Sequence, residues 1–317
     1  MDNKTKDRIR GVIFGNAVGD ALGRASEFMS KREVKETYPK GIRSYEDIDM
    51  TNRFRAIWKR GEWTDDTDQM LCIMDSIIEN KAVVPHDIAR RFLRWAAEDG
   101  RGMGGTTRRV FSHPQFIRDP HRAAEEVWLK SGKTLAPNGG VMRTSILGVF
   151  DYKNPNKVLQ NTEMACKVTH FDPRCVASCA AVALAISMML VGYNDVDEVA
   201  RLVASTVSKY DHGIETIIEL ARDGSISDLQ LDEDGKIGYT YKTAHAGFWE
   251  FLQAENFHDG IIEIIHEGGD ADTNGAVAGA MLGARFGFSS IPIGWVTGLV
   301  QAKELSKKTD AIVSMLE

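Results

Sequence analysis

Residues 172–194 read DPRCVASCAAVALAISMMLVGYN, and the character of this stretch decides the fold class. Asp172-Pro173 is a helix-start signature: an aspartate side chain accepts from the free amides of a first turn, and proline fits there without losing a hydrogen bond. From Cys175 to Asn194 no residue is charged. That length would span a bilayer. The segment is rich in Ala and Ser and poor in Leu, Ile and Phe, however, which suits a helix surrounded by protein. Asn274–Ala284 is also apolar nearly all round. Helices of this kind need further helices on every side, so the chain is expected to form one all-α, multilayer domain over residues 1–317.

The flanking sequence agrees. Ile9, Ile13, Ala17 and Ala21 share one face of a first helix, with Asn16 and Asp20 on the same side. Met70, Ile73, Met74, Ile77 and Ile78 make a second helical stripe. Ile88–Glu98 reads as an amphipathic helix with a basic outer side. Only Gly235–Thr243, GKIGYTYKT, hints at extended structure. There is no Pro/Ser-rich linker and no internal repeat.

Composition narrows the function classes. The chain has 317 residues, 43% of them hydrophobic, with only 8 prolines, which excludes a disordered protein. Lys+Arg is 39 and Asp+Glu is 45, a formal charge of −6 that argues against nucleic-acid binding through a basic face. The cysteines Cys72, Cys166, Cys175 and Cys179 form no C-x-x-C pair. Reduced, buried thiols and a cytoplasmic protein are expected. Asp20 interrupts the first apolar stretch, so neither a signal peptide nor a membrane anchor is expected there.

The chemistry concentrates in two acidic segments. Trp63-Thr64-Asp65-Asp66-Thr67-Asp68 stands directly ahead of the Met70–Ile78 stripe. Capping explains one acid at a helix start, not three. Asp66 is one turn before Met70 and so falls on the buried face, where a carboxylate needs a partner or a metal. Gly268-Gly269-Asp270-Ala271-Asp272-Thr273-Asn274-Gly275 also precedes a buried helix. Its spacing starts like an EF-hand loop but puts Met281 where the bidentate carboxylate should be. What remains is a set of hard oxygen donors, which select Mg²⁺, Mn²⁺ or Ca²⁺ over zinc. Glu27 follows the first helix after Gly19 and Gly23, glycines that would permit a sharp exit from it. Gly100–Gly105 and Asn138-Gly139-Gly140 are glycine-rich turns without a P-loop lysine, able to offer backbone amides to a phosphate. His170 sits just before a helix start.

Taken in order, Gly19-Asp20…Gly23…Glu27, Trp63-Thr64-Asp65-Asp66-Thr67, Asn138-Gly139-Gly140-Val141-Met142-Arg143, Thr169-His170 and Gly268-Gly269-Asp270-Ala271-Asp272-Thr273 resemble the ADP-ribosylglycohydrolase family, which includes dinitrogenase reductase-activating glycohydrolases. The motifs and their helices run from about residue 11 to residue 287. The resemblance implies an all-α fold with a binuclear Mg²⁺ or Mn²⁺ site in a central cleft. It assigns Thr64, Asp65, Asp66, Asp270, Asp272 and Thr273 to the metals, and Glu27 to acid–base catalysis beside them. It assigns Gly102, Met103, Gly104, Gly105, Asn138, Gly139, Gly140, Val141, Met142, Arg143 and His170 to the walls of an ADP-ribose cleft, with Phe171 or another aromatic stacking on adenine. The implied activity is hydrolysis of the bond between ADP-ribose and a modified protein, with arginine-linked ADP-ribose first and serine-linked or other conjugates as alternatives. A non-catalytic ADP-ribose-binding protein would lack metal ligands, yet all six are present. Glu98 and Asp99 are candidates to face a guanidinium. The chain departs from the family at Asp68-Gln69 and at Phe171-Asp172-Pro173, which leaves the leaving group open.

Overall fold

The computed structural model describes residues 1–317 except residue 54. Among the described residues there are fifteen α-helices, short 3-10 turns and no strand. The first half holds α1 (Asn3–Gly23), α2 (Lys31–Thr37), α3 (Asp65–Asn80), α4 (Pro85–Glu98), α5 (Gly105–Phe111), α6 (Pro120–Lys130) and α7 (Pro155–Cys166). The second half holds α8 (Pro173–Val191), α9 (Val196–Val207), α10 (Gly213–Asp223), α11 (Thr240–Gln253), α12 (Phe257–His266), α13 (Ala271–Phe286), α14 (Ile293–Gly298) and α15 (Ala302–Leu316).

The 172–194 stretch forms α8 as its end signals dictate. The Asp172 side chain accepts from the Arg174 amide, Pro173 occupies the first turn, and Gly192 at φ 110 ends the helix in the left-handed region. Every residue from Cys175 to Leu190 is buried. The helix is long and apolar enough to cross a membrane by composition, but 89% of that window is buried inside the protein. It packs against α7, α9, α11 and α13.

The contact that organises the site is between α1 and α13, which run antiparallel with their backbones touching. Glycines at every fourth position of each helix face one another: Gly11 meets Gly283, Gly15 meets Gly279 and Gly19 meets Gly275. A methyl group on Gly19 would lie 1.9 Å from the Gly275 carbonyl oxygen, and one on Gly279 would lie 2.1 Å from that of Gly15. Only glycine permits such an approach, the small-residue packing that brings two helix backbones together. Gly19 lies inside the helix and serves this contact, while α1 ends at Gly23, where the sequence allowed an exit. Gly235–Tyr239 forms turns and Thr240 already begins α11, so the predicted extended segment shrinks to one isolated pairing of Tyr239 with Pro137. No run of residues continues that pairing into a ladder. Three cysteines are buried as expected, whereas Cys72 is half-buried.

Glu250 on α11 is a buried acid outside the site. It is 0% exposed, and neither carboxyl oxygen has a hydrogen-bond partner. Its neighbours include Gly260 of α12 and, around that glycine, Leu282 and Ala254. Burial first, then the charges of Glu263 and Glu267, push its pKa well above the ordinary 4.5.

Two outcomes follow from these features. Gly279→Ala should cost about 3 kcal/mol or more, because backbone blocks the methyl on the α1 side, whereas Gly294→Ala, with nothing within 4 Å, should leave stability unchanged. Urea titration of both variants checks this. Glu250 binds its proton more tightly folded than unfolded, so stability is fully present below its ordinary pKa and falls as pH rises through the folded value. Glu250→Gln should therefore match the parent at pH 4 and exceed it by at least about 1 kcal/mol at pH 7.5. Equal melting curves at both pH values would contradict that assignment.

Candidate functional site

Both acidic segments open helices, and each is set by its own local chemistry. Thr64 caps α3: its hydroxyl accepts from the Asp66 amide, leaving Asp65 and Asp66 in the first turn with their carboxylates unused for capping. The position of that turn is fixed from α1. Asp20, fully buried, accepts from the Thr64 amide at 2.9 Å, the Thr67 amide at 3.0 Å and the Thr67 hydroxyl at 2.6 Å. Burial pushes Asp20 up to about 6, against these hydrogen bonds, which pull it down. Asp68 turns away from the cluster and accepts from the indoles of Trp63 and Trp95, at 2.8 and 2.9 Å.

At the start of α13, Gly268 and Gly269 adopt φ values of 72 and 71, and the Gly269 amide donates to the Met29 carbonyl while its own carbonyl accepts from the Phe28 amide. Asp270 is oriented by the side-chain Nδ2 of Asn138, which donates to it at 2.7 Å, and Asp272 accepts from the Thr273 backbone amide at 2.9 Å. Because the Phe28–Met29 backbone is tied to Gly269, Glu27 is carried to the same place. One oxygen each from Glu27, Asp270 and Asp272 lie within 4.8 Å of one another, close enough for a single cation to touch all three.

These groups line a cavity of about 260 Å³. Its wall carries Glu27, Asp65, Asp66, Asp270, Asp272 and Thr273 at one end, and Gly102, Gly104, Gly105, Asn138, Gly139, Met142 and His170 around it. The sequence had not singled out Phe28, Thr106, Thr107, Arg109 and Pro137, which also line it. Phe28 is 55% exposed at a φ of 58, and only its position next to Glu27 hinted at a role. Arg109 is the one Arg or Lys on this wall among the described residues. Gly102 packs directly on Asp65: a methyl there would lie 2.2 Å from Oδ1. Gly104 and Gly105 face open space, so their backbone is accessible from the cavity.

Other expected wall residues sit elsewhere. Gly140 faces the thiols of Cys166 and Cys179 behind the turn, Val141 is core, and Arg143 is completely buried. Asn138–Arg143 runs into a 3-10 turn at Val141–Arg143, whose three-residue period brings Met142 to the cavity beside Gly139 and turns Val141 and Arg143 away. Met103 is half-buried and off the wall, and Thr64 turns its hydroxyl to Asp66. Phe171 packs beside Trp128 at 5.7 Å, under the Lys167 ammonium, on the far side of His170. Asp99 is taken by the Arg101 guanidinium, which also bridges to Glu62, and Glu98 lines a separate surface groove. Neither acid is placed to meet a guanidinium in the cavity.

The electrostatics call for cations. Asp65, Asp66 and Asp272 are buried, and burial followed by mutual repulsion among the acids raises each well above the usual carboxylate range. Glu27 is half-buried and raised for the same reasons, burial first and Asp270 next. Arg24 lies close enough to affect Glu27 and Asp272, but its N–H groups donate to the carbonyls of Arg55, Lys59 and Glu62. Asp66 Oδ1 is buried with no hydrogen-bond donor. An orphaned carboxylate oxygen inside a ring of hard oxygen donors fits a divalent cation of the Mg²⁺ or Mn²⁺ kind.

Comparison with known proteins places this arrangement. The ADP-ribosylglycohydrolase family matches residues 1–316. The chain is 26% identical over 322 residues to the ADP-ribosylarginine hydrolase Tri1 of Serratia proteamaculans, covering 99% of this chain and 81% of that one. It is 26% identical to the ADP-ribosyl-[dinitrogen reductase] glycohydrolase of Rhodospirillum rubrum, covering 98% and 96%. A solved structure titled ADP-ribosylglycohydrolase-related protein complex superimposes with a TM-score of 0.77 at 28% identity, covering 99% of each chain. The chain belongs to the ADP-ribosylglycohydrolase family, a family of glycosidic-bond hydrolases.

Proposed function

We propose that this protein is a divalent-metal-dependent hydrolase that cleaves the bond between ADP-ribose and an arginine side chain of a modified protein. The observation that carries the reading is the convergence of Glu27, Asp65, Asp66, Asp270 and Asp272 on one cavity wall. The family supports ADP-ribose as the sugar-nucleotide part, and the names of the Serratia and Rhodospirillum relatives support release from protein and, for the first, arginine as the linked residue. A groove of about 630 Å³ along Thr134–Pro137 and Gly238-Tyr239 shares Pro137 with the cavity and offers room for the rest of an extended ligand.

In this reading Asp65, Asp66, Asp270, Asp272 and Thr273 hold two cations, with the Thr64 hydroxyl supporting Asp66 from behind. When bound, Mg²⁺ or Mn²⁺ neutralises the carboxylates and polarises sugar hydroxyls and water. The glycosidic bond breaks through an oxocarbenium-like state at the anomeric carbon. Hydrolysis moves one proton from water to the leaving nitrogen, and Glu27 is the residue placed to relay it. Gly104 and Gly105 present backbone amides to the diphosphate, and Met142 and Gly139 close the wall beside it.

Three measurements test the reading. Release of ADP-ribose from an arginine-linked peptide should depend on Mg²⁺ or Mn²⁺, vanish on chelation, and exceed release from a serine-linked peptide; the reverse preference would reassign the leaving group. Either cation at a hundred times its Kd should also raise apparent stability by about 2.7 kcal/mol, an effect abolished in Asp66→Asn and Asp272→Asn. Glu27→Gln should lower turnover about a hundredfold or more, with ADP-ribose binding and metal content retained. Loss of metal from that variant would make Glu27 a ligand, as its closeness to Asp270 and Asp272 allows.

A further inference from the structure

Arg143 lies behind the cavity, 0% exposed, with its guanidinium 4.5 Å above the Phe92 ring. No carboxylate hydrogen-bonds it. One Nη donates to the Gln69 side-chain oxygen and the other to the Thr169 hydroxyl. An arginine has only donors, so Gln69 and Thr169 each accept from it through oxygen.

On one side, Gln69 accepts from Arg143 through its oxygen and therefore presents its amide nitrogen to Asp65, donating to Oδ2 at 2.9 Å. On the other side, the Thr169 oxygen accepts from Arg143 and has a single proton left. His170 Nδ1, 2.7 Å away, is the other side-chain partner of that hydroxyl among the described residues, so donating to it is the arrangement that uses the proton. Nδ1 is then an acceptor, and the neutral ring carries its hydrogen on Nε2. Burial, with the Arg143 charge adding to it, holds His170 well below its ordinary pKa, so the ring stays neutral. Burial lowers Arg143 only to about 10, so the guanidinium stays charged. The Nε2 edge lies against Gly139 on the cavity wall, where a methyl on that glycine would sit 3.0 Å from Nε2.

We propose that Arg143 is a positioning residue with two arms: through Thr169 it fixes His170 as an Nε2–H donor facing the cavity, and through Gln69 it orients the carboxylate of Asp65. The ligand atom that His170 recognises is an acceptor oxygen of a phosphate or sugar. Only the identity of that ligand as ADP-ribose rests on the function proposed above. The two arms predict separable defects, which a residue that merely holds the fold together would not give.

The test uses the full chain with Mg²⁺ and ¹⁵N-labelled histidine, His170 being assigned by difference against His170→Gln. At pH 7 Nδ1 of His170 should be unprotonated and Nε2 protonated in the parent protein. Thr169→Val should lose that bias and weaken ADP-ribose binding about tenfold, the scale of one lost hydrogen bond to a ligand, with Mg²⁺ affinity nearly unchanged; Thr169→Ser should restore both. Gln69→Glu still accepts from Arg143 but cannot donate to Asp65, so it should weaken Mg²⁺ binding about tenfold or more and leave the His170 tautomer unchanged. A protonated Nδ1 in the parent overturns the proposal, and that spectrum needs no variant to fold. So do variants that shift both readouts together. Failure of the parent to bind ADP-ribose would instead remove the functional reading, and the tautomer would still decide this one.

Discussion

The backbone contact between α1 and α13 is the constraint on which the rest of the structure depends. Gly19 against Gly275 and Gly15 against Gly279 leave no room for a side chain between the two helices. With α1 and α13 so close and antiparallel, the end of one helix meets the start of the other. Asp20 and Glu27 therefore arrive beside Asp270 and Asp272, which are about 250 residues away in sequence. Asp20 then sets the third element, since its carboxylate receives the Thr64 and Thr67 amides and thereby seats Asp65 and Asp66 in the same cavity.

This convergence has an electrostatic consequence. Five carboxylates line one small cavity, four of them largely buried, and burial together with mutual repulsion drives Glu27, Asp65, Asp66 and Asp272 well upward. A polypeptide optimised only for stability would pair such acids with Arg or Lys. Here the buried cations serve other partners: Arg24 donates to main-chain carbonyls, and Arg143 donates to Gln69 and Thr169. An acidic cluster left without cationic side chains fits a divalent cation, and binding one would couple the stability of the site to that ligand.

Much of this was legible in the sequence, because helix starts and apolar stripes are local signals. The Asp172-Pro173 start, the buried α8, the Met70–Ile78 stripe and the two acidic helix openings all stand where the pattern put them. Other positions depended on tertiary geometry. The glycines at every fourth position of α1 and α13 carry a packing signal, yet each alone reads as an exit or a weak helix former. The 3-10 turn at Val141–Arg143 sends Val141 and Arg143 into the core while Gly139 and Met142, three residues apart, face the cavity, a period that could be used only once the segment was known to form such a turn. Asp99 looked free for a substrate guanidinium because nothing in the sequence shows that Arg101 folds back onto it. Phe28 lines the cavity through loop placement, and Arg109 through the tertiary placement of the short helix α5.

The most direct test of the account is a crystal of the protein soaked with Mn²⁺ and ADP-ribose, with anomalous scattering used to locate the metal. The account predicts two Mn²⁺ peaks between Asp66 and Asp272, each touching carboxylates from both helix starts, with the ribose beside Glu27. A map with no peak there, or with manganese bound to only one acidic segment, would contradict it.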